Sequence, residues 1–288
     1  MTRRWKSLGV TQVKNKIRWQ TMPVAPHVVW SVIFILVPLA FVAYFALTDE
    51  KGKFTLNNFS ALAEPTYLAT LWSSILYAVI ATAICLLVAY PLAYFLSKMK
   101  ARYQQLFVML IMLPMWTNFL IRTYTMSQIL EKNGIINSIL MKLGMEEPIQ
   151  FLGTGAAVVF GMVYNYLPYM VLPIYTVLMK LDHRLIEAAQ DLGCNGFSTL
   201  TRVILPLSRT GMISGVTMVF VPCISTFYIS QAMSKRTITL FGDVIEAQFK
   251  SINNYNVGAM LSAVLMILVL ISMWVMNRFG DDTEGVVA

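Results

Sequence analysis

The sequence predicts an all-α integral membrane protein with six transmembrane helices, and three observations carry this prediction. Hydrophobic residues make up 57% of the chain and charged residues only 12%, whereas soluble globular chains have about 25% charged residues. The mean hydropathy is +0.65. The apolar residues are gathered into six runs, each close to the roughly 20 residues that a helix needs to cross a bilayer. The formal net charge of +8 is explained by basic residues that flank these runs, so nucleic acid is not expected as a partner.

The six runs divide the chain into spans, loops and two tails. We expect the spans at about 27–47, 71–96, 106–125, 154–179, 211–231 and 258–276. A basic tail, 1–26, precedes them, and a short tail, 277–288, follows. About 14 of the 22 Lys and Arg residues lie in the two tails and in the loops after the second and fourth spans, and such an excess marks the cytoplasmic side. Both termini and the loop at 181–209 are therefore predicted to be cytoplasmic.

Local signals mark the ends of several elements. Three basic residues close the second span, namely Lys98, Lys100 and Arg102. The third span contains the sequence Pro-Met-Trp-Thr-Asn at 114–118. After it, Asn-Gly at 133–134 is typical of a turn, and apolar residues at helical spacing in 135–143 predict a short amphipathic helix in the interface plane. The fifth span opens with Gly211 and Gly215, a pattern of small residues that permits close contact between helices.

The polar segment between the fourth and fifth spans, 181–209, carries its own start and stop signals. Asp182 suits the N-cap of a helix, because its carboxylate can accept hydrogen bonds from free backbone N–H groups. Gly193 suits the left-handed position just past the end of that helix. Asn195 can cap a second short helix, which Pro206 limits. We therefore predict two short helices in this segment.

The first of these two helices has an apolar and a charged face. Apolar residues at helical spacing form a narrow stripe, which consists of Leu185, Ala188, Ala189 and Leu192. Charged residues lie on another face, namely Arg184, Glu187 and Asp191. Because two members of the stripe are alanines, the helix can approach a groove on another protein closely. Spacing alone equally allows an amphipathic helix that lies on its own membrane, with its charged residues forming weak solvated pairs.

The sequence Glu-Ala-Ala at 187–189, followed by Gly193 and by Leu-Pro at 205–206, resembles the cytoplasmic signature loop of the permease subunits of ABC importers. Val203 stands where that pattern usually has Ile. The resemblance implies the type I ABC importer permease fold, with this loop forming a coupling helix in a cleft of a separate ATPase subunit. It assigns the ATPase-coupling role to Glu187, Ala188, Ala189, Asp191, Gly193, Leu205 and Pro206.

Further segments resemble the spermidine/putrescine branch of that family. They are 89–93, 114–124, Tyr164 with the Leu-Pro pairs at 167–168 and 172–173, and 242–249. This resemblance implies the B-type permease of a heterodimer in a bacterial cytoplasmic membrane, with spermidine or putrescine as cargo. The implied partners are a second homologous permease, a pair of ATPase subunits that use ATP and Mg²⁺, an extracytoplasmic substrate-binding protein and membrane lipid.

A cationic cargo directs attention to aromatic side chains, because their faces attract ammonium groups by about 0.5–2 kcal/mol each. The candidates for the substrate path are Trp116, Asn118, Tyr124, Tyr164 and Tyr166. Marking the membrane interface is the alternative role for any single Trp or Tyr. Arg122 would repel a cation and is expected to pair with a carboxylate or to reach the outer surface. Asp243 and Glu246 are expected to face outward, where they either contact the binding protein or lie on a solvated loop helix.

No catalytic set is evident in the sequence. It has no Gly-x-x-x-x-Gly-Lys-Ser/Thr phosphate loop, which implies that ATP is bound by another subunit, and its two histidines, His27 and His183, offer no metal site. We therefore predict a non-catalytic permease subunit without a cofactor of its own. The alternatives are a permease for another small solute, a membrane-embedded enzyme, and a secondary carrier or channel, which usually has buried ionisable residues or inverted repeats.

Overall fold

The computed structural model describes residues 25–49 and 51–281. Within these residues the chain is helical, and its only β pairing is an isolated bridge between Thr48 and Phe54, which confirms the all-α prediction. The predicted tails at 1–26 and 277–288 lie mostly outside the described residues.

Twelve helices in the described part of the chain define its architecture. We label them in chain order: α1 Pro26–Ala46, α2 Pro65–Lys98, α3 Ala101–Met112, α4 Phe119–Ile129, α5 Ile135–Lys142, α6 Gly155–Lys180, α7 His183–Asp191, α8 Gly196–Leu207, α9 Arg209–Ile224, α10 Tyr228–Ser234, α11 Phe241–Ala247 and α12 Tyr255–Asp281. Four of them, α1, α2, α6 and α12, are long and apolar enough to cross a membrane, and two bent pairs, α3 with α4 and α8 with α9, raise the number to six if each pair is one crossing.

The centre of the bundle is α6, which packs against α2 and α9, while α9 also packs against α2. The last helix, α12, packs against α9 and against α1. Apolar side chains on α1 are exposed along most of its length. Because these side chains face away from the bundle in a chain built to sit in lipid, we assign that face of α1 to contact with the bilayer.

Small residues allow the three central helices to approach one another closely. One face of α2 is a stripe of fully buried small side chains, namely Ala78, Ala81, Cys85, Ala89 and Ala93. On α9, a Cβ atom at Gly211 would lie 2.9 Å from the Pro173 carbonyl oxygen, and one at Gly215 would lie 2.7 Å from the Met170 sulfur. Both neighbours belong to α6, so the close helix contact predicted for Gly211 and Gly215 is confirmed, in the manner usual for membrane helices.

The third span is not the single helix that was predicted over 106–125. Helix α3 continues into a 3-10 turn at Leu113–Trp116, and the next helix, α4, starts at Phe119 after a bend of 96°. Pro114 lies at the start of the 3-10 turn, where its missing N–H breaks the α-helical hydrogen-bond ladder. Asn118 then caps α4, because its side chain accepts from the Leu120 and Ile121 N–H groups at 2.9 and 3.3 Å.

The range predicted for the fifth span, 211–231, contains two helices. Helix α9 ends at Ile224, and a separate helix, α10, begins at Tyr228. Pro222 weakens the last turn of α9, and the Ser225 hydroxyl donates to the free Val221 carbonyl at 3.1 Å. The segment 225–227 therefore separates a short helix from the predicted span.

Candidate functional site

Helix α7 has the ends that the sequence predicts. The Asp182 side chain accepts from the Arg184 N–H at 3.0 Å. Gly193 has a left-handed backbone with φ of +85°, and the turn is closed by hydrogen bonds from Gly193 N to Gln190 O at 2.8 Å and from Cys194 N to Ala189 O at 3.0 Å. Asn195 caps the next helix, α8, by accepting from the Ser198 N–H at 2.8 Å. Local sequence rules therefore account for the whole turn between α7 and α8.

The apolar stripe of α7 is exposed, apart from one alanine. Leu192 is 87% exposed and Phe197, just beyond the turn, is 74% exposed. We call the exposed apolar side chains of α7 and α8 the coupling surface, which consists of Leu185, Ala188, Leu192, Phe197 and Leu205. Among the predicted coupling residues, Glu187, Asp191, Gly193 and Pro206 are also exposed, whereas Ala189 is buried. Exposed apolar side chains gathered on one segment are typical of a place where another molecule binds.

The charged face of α7 forms no ion pair within the described ranges. The two salt bridges in the described part of the chain lie elsewhere and join Lys235 to Glu131 and Lys250 to Glu246. Arg184, Glu187 and Asp191 are therefore left with exposed charges beside the coupling surface. The solvated ion-pair set considered for this helix is not formed.

The coupling surface is held to the bundle by a few buried contacts. Ile186 of α7 packs against the hydrophobic core, and Ile204 of α8 is buried. At the 65° bend between α8 and α9, the buried Ser208 hydroxyl shares a hydrogen bond of 2.9 Å with the Tyr90 hydroxyl of α2. A displacement of α7 and α8 would therefore be passed to both α9 and α2.

Two of the predicted path residues lie at the break between α3 and α4. Trp116 is 73% exposed at the end of the 3-10 turn. Asn118 is also exposed, and its side-chain oxygen accepts from two N–H groups of α4. Its observed role is that of a helix cap, which the Pro-x-Trp-Thr-Asn sequence could have suggested.

Arg122 holds the break together, which differs from both roles expected for it. Its Nε donates to Asn165 Oδ1 at 2.9 Å, and its Nη1 donates to the Pro114 carbonyl. Asn165 is fully buried in α6 and itself donates to Gly161 O at 2.8 Å. Arg122 therefore fastens the two halves of the broken segment to the central helix, without a carboxylate partner among the described residues.

The predicted tyrosines do not form one cluster. Tyr124 is exposed, Tyr164 is half-buried and Tyr166 is buried. The Tyr166 ring lies 6.5 Å from Phe119 and 6.4 Å from Tyr169, and the Phe119 ring lies 6.2 Å from Tyr228. Phe119 and Tyr228, which no sequence pattern singled out, join α4 and α10 to α6 through ring contacts.

Asp243 does not face outward as expected, because its side chain is only 8% exposed. Its Oδ2 atom accepts from the Leu240 N–H and from the Ser230 hydroxyl, both at 2.7 Å. Burial raises the pKa of this carboxyl, while these two hydrogen bonds and the Gln231 amide oppose the rise. Glu246 is half-buried and contacts both Gln231 and Lys250. Burial raises the pKa of Glu246, but the Lys250 and Gln231 contacts outweigh it and lower the pKa below its usual value.

The family described as "Binding-protein-dependent transport system inner membrane component" matches residues 86–280. The matched region includes the broken third span, the coupling surface and the segment around Asp243. The chain belongs to this family. As a member of it, the protein is an inner-membrane component of a transport system.

The inner-membrane component is also similar to individual proteins over nearly its full length. It is 38% identical over 273 residues to the spermidine/putrescine transport system permease protein PotB of Haemophilus influenzae, which covers 92% of this chain and 95% of that protein. A crystal structure of a bacterial ABC transporter involved in the import of the acidic polysaccharide alginate has a chain with a TM-score of 0.76 and 15% identity, covering 95% of this chain and 98% of that one.

A second alginate transporter structure, solved in complex with an alginate pentasaccharide-bound periplasmic protein, matches with a TM-score of 0.75 and 15% identity over 94% of this chain and 96% of that one. At this identity the two structures show the fold alone. They confirm that the inner-membrane component has the ABC importer permease fold.

Proposed function

We propose that the protein is a permease subunit of an ATP-driven importer for polyamines such as spermidine and putrescine. The observation that carries the proposal is the 38% identity to a spermidine/putrescine permease across 92% of the chain. The fold does not select the cargo, because an importer of an acidic polysaccharide shares it. A permease for another small solute is therefore the second candidate.

In the proposed mechanism ATP and Mg²⁺ are used by a separate pair of ATPase subunits, and this chain converts their motion into a change of access. The exposed coupling surface supports this role, since Leu192 and Phe197 offer apolar side chains to a partner. Glu187 and Asp191, which form no ion pair among the described residues, offer charge beside them. The Tyr90–Ser208 hydrogen bond supports transmission of the motion from the loop to α2 and α9.

The remaining partners complete the proposed complex. A second homologous permease forms the translocation path with this chain, and an extracytoplasmic binding protein delivers the cargo. Trp116, Asn118, Tyr124, Tyr164 and Tyr166 stay candidates for the path, and Glu246 stays a candidate for contact with the binding protein. We place both termini and the coupling surface in the cytoplasm, as the distribution of basic residues indicates.

Reconstituted transport tests this proposal. The chain is co-expressed with its second permease and ATPase subunits, purified as a complex and placed in proteoliposomes with the binding protein outside. We expect ATP-dependent uptake of radiolabelled spermidine or putrescine. The cargo assignment is wrong if neither polyamine is taken up and neither polyamine competes with the uptake of another solute.

A matched pair of variants tests the coupling role in the same complex. Glu187→Arg reverses a charge beside the coupling surface, and Glu146→Arg makes the same reversal at an exposed position in the loop before α6. We expect the first variant to lose ATPase co-purification or uptake while still inserting into membranes, and the second to keep both. Normal uptake by Glu187→Arg would contradict the coupling role.

A further inference from the structure

A polar cavity of about 280 Å³ lies at the end of the bundle opposite the coupling surface. Helix α6 begins near this cavity, where Gly153 N donates to Met233 O at 2.9 Å, and it ends at the coupling segment. The cavity is formed by α10, α11 and the residues that follow α11, and its lining includes Gln231, Arg236, Thr239, Asp243, Glu246 and Lys250. In the predicted orientation it opens on the outer side, where a binding protein releases cargo.

Glu246 already holds a primary ammonium group at this cavity. Lys250 Nζ lies 2.6 Å from Glu246 Oε1, and the Lys250 side chain is 71% exposed. The Glu246 side chain is 20% exposed, but its partner is a solvated ammonium group, and such a pair between residues four apart in the chain is weak and exchanges with other ions. The other oxygen, Oε2, accepts from the Gln231 amide, so the carboxylate is oriented even when Lys250 leaves.

Asp243 adds a second acidic group behind Glu246. It is three residues earlier on α11, and its Oδ1 atom is buried without a hydrogen-bond partner among the residues that the structure describes. Both hydrogen bonds that the Asp243 side chain accepts go to Oδ2. A buried oxygen without a donor favours a cation nearby, because its charge is poorly screened.

We propose that this cavity binds a primary ammonium group of the cargo, with Glu246 as the direct acceptor, Asp243 as a buried acidic group behind it and Lys250 as a tethered competitor. The proposal rests on the proposed function as a polyamine permease. When cargo binds, its ammonium group replaces that of Lys250 on Glu246, and the Lys250 side chain moves into solvent. One cation takes the place of another beside Glu246, and Arg236 stays where it is, so the net charge at the cavity is unchanged.

Cysteine protection in the purified permease–ATPase complex tests the proposal. Cys194 is replaced by Ser, the buried Cys85 and Cys223 are retained, and Ser251→Cys places a reporter in the cavity lining. The probe is N-ethylmaleimide, which is neutral and is therefore neither attracted nor repelled by the charged groups of the cavity. Spermidine is expected to slow labelling, whereas diacetylated spermidine, which lacks primary ammonium groups, is not.

Three variants then assign the roles. We expect Glu246→Gln to raise the spermidine concentration for half-protection about tenfold, because a charged hydrogen bond is lost. Asp243→Asn should raise it less, and Lys250→Met should lower it several-fold. Lys235→Met is the matched control, since it breaks the other ion pair at this end of the bundle and should change nothing.

Three results would overturn the ammonium site: equal protection by spermidine and its diacetylated form, the absence of opposite shifts in Glu246→Gln and Lys250→Met, or normal polyamine transport without any protection by spermidine. If Glu246→Gln does not assemble, the ligand comparison and Lys250→Met still decide. Failure of the unchanged complex to transport any polyamine would instead overturn the proposed function. Normal transport without protection would overturn only this site.

Discussion

The two ends of the central helix differ in how their polar groups are used. At the end that carries α7 and α8, the charged residues in the described segment form no ion pair, and Leu192 and Phe197 are exposed. At the other end, Lys235 pairs with Glu131 and Lys250 with Glu246. Hydrogen bonds there also join distant segments, as when Thr237 donates to Gly153 O at 3.0 Å.

This difference separates a surface whose apolar and charged side chains are exposed from one whose polar groups are largely paired within the chain. Exposed apolar side chains beside free charges gain free energy only when another protein covers them. Paired and capped groups already have their partners, so a ligand must compete for them, as Lys250 competes in the proposed ammonium site. The comparison therefore predicts strong effects of substitutions at the first end and weaker ones at the second.

The largest effect is expected from Leu192→Glu, which breaks the coupling surface. The new carboxylate would have to be desolvated against the apolar side of a partner, so we expect uptake to fall at least tenfold and the ATPase subunits to dissociate. Uptake in proteoliposomes and co-purification measure the two effects. Leu192→Met, which keeps the surface apolar, is the control. Full assembly of the Glu variant would mean that the ATPase subunits do not cover this surface.

A smaller effect is expected from Tyr90→Phe, which separates docking from transmission. The substitution removes the hydrogen bond to Ser208 at the bend between α8 and α9, which is worth about 0.5–1.5 kcal/mol. We expect uptake to fall several-fold while the ATPase subunits still co-purify. Tyr94→Phe, one turn later on the same helix, leaves the bend unchanged and is the control. Loss of assembly in Tyr90→Phe would assign the bond to docking instead.

Sequence rules predicted the coupling segment well because its signals are local. Asp182, Gly193 and Asn195 each act on backbone groups within four residues, so no knowledge of the rest of the fold is needed. The same holds for the glycines at 211 and 215, whose spacing alone indicates a close helix contact.

The break at 117–118 and the burial of Asp243 depend on contacts that spacing does not reveal. An apolar run reports burial in lipid but not direction, so the 96° bend between α3 and α4 was read as one continuous span. Asp243 caps α11 from its third residue, with Leu240 at the N-cap, whereas capping rules look for a polar residue there. Its burial also depends on Ser230, which lies in a different helix.

A pH-dependent effect is expected from Asp243→Asn, which removes the buried carboxyl at the satisfied end. Burial raises the pKa of Asp243 in the folded protein. Its contribution to stability is therefore present below the unfolded pKa of about 3.9 and lost as pH rises through the folded value. We expect the Asn variant to be at least as thermostable as the parent at pH 7–8, with the difference shrinking toward pH 4. Thermal unfolding in detergent measures it, and lower stability of the variant at neutral pH would mean that the capping bonds outweigh the cost of burial.

The smallest effect is expected from Lys235→Met, which removes an ion pair between the residue that follows α10 and the loop after α4. Lys235 Nζ lies 2.6 Å from Glu131 Oε2, but the two side chains are 51% and 32% exposed, and such pairs contribute about 0–1 kcal/mol. We expect a change in melting temperature near the limit of detection, normal ATPase assembly and normal uptake. The matched substitution at the first end is Arg184→Met, which removes a free cation beside the coupling surface and should alter the salt dependence of ATPase binding. If Lys235→Met impaired transport more than Arg184→Met, the satisfied end would be the one that a partner engages, and the contrast between the two ends would be reversed.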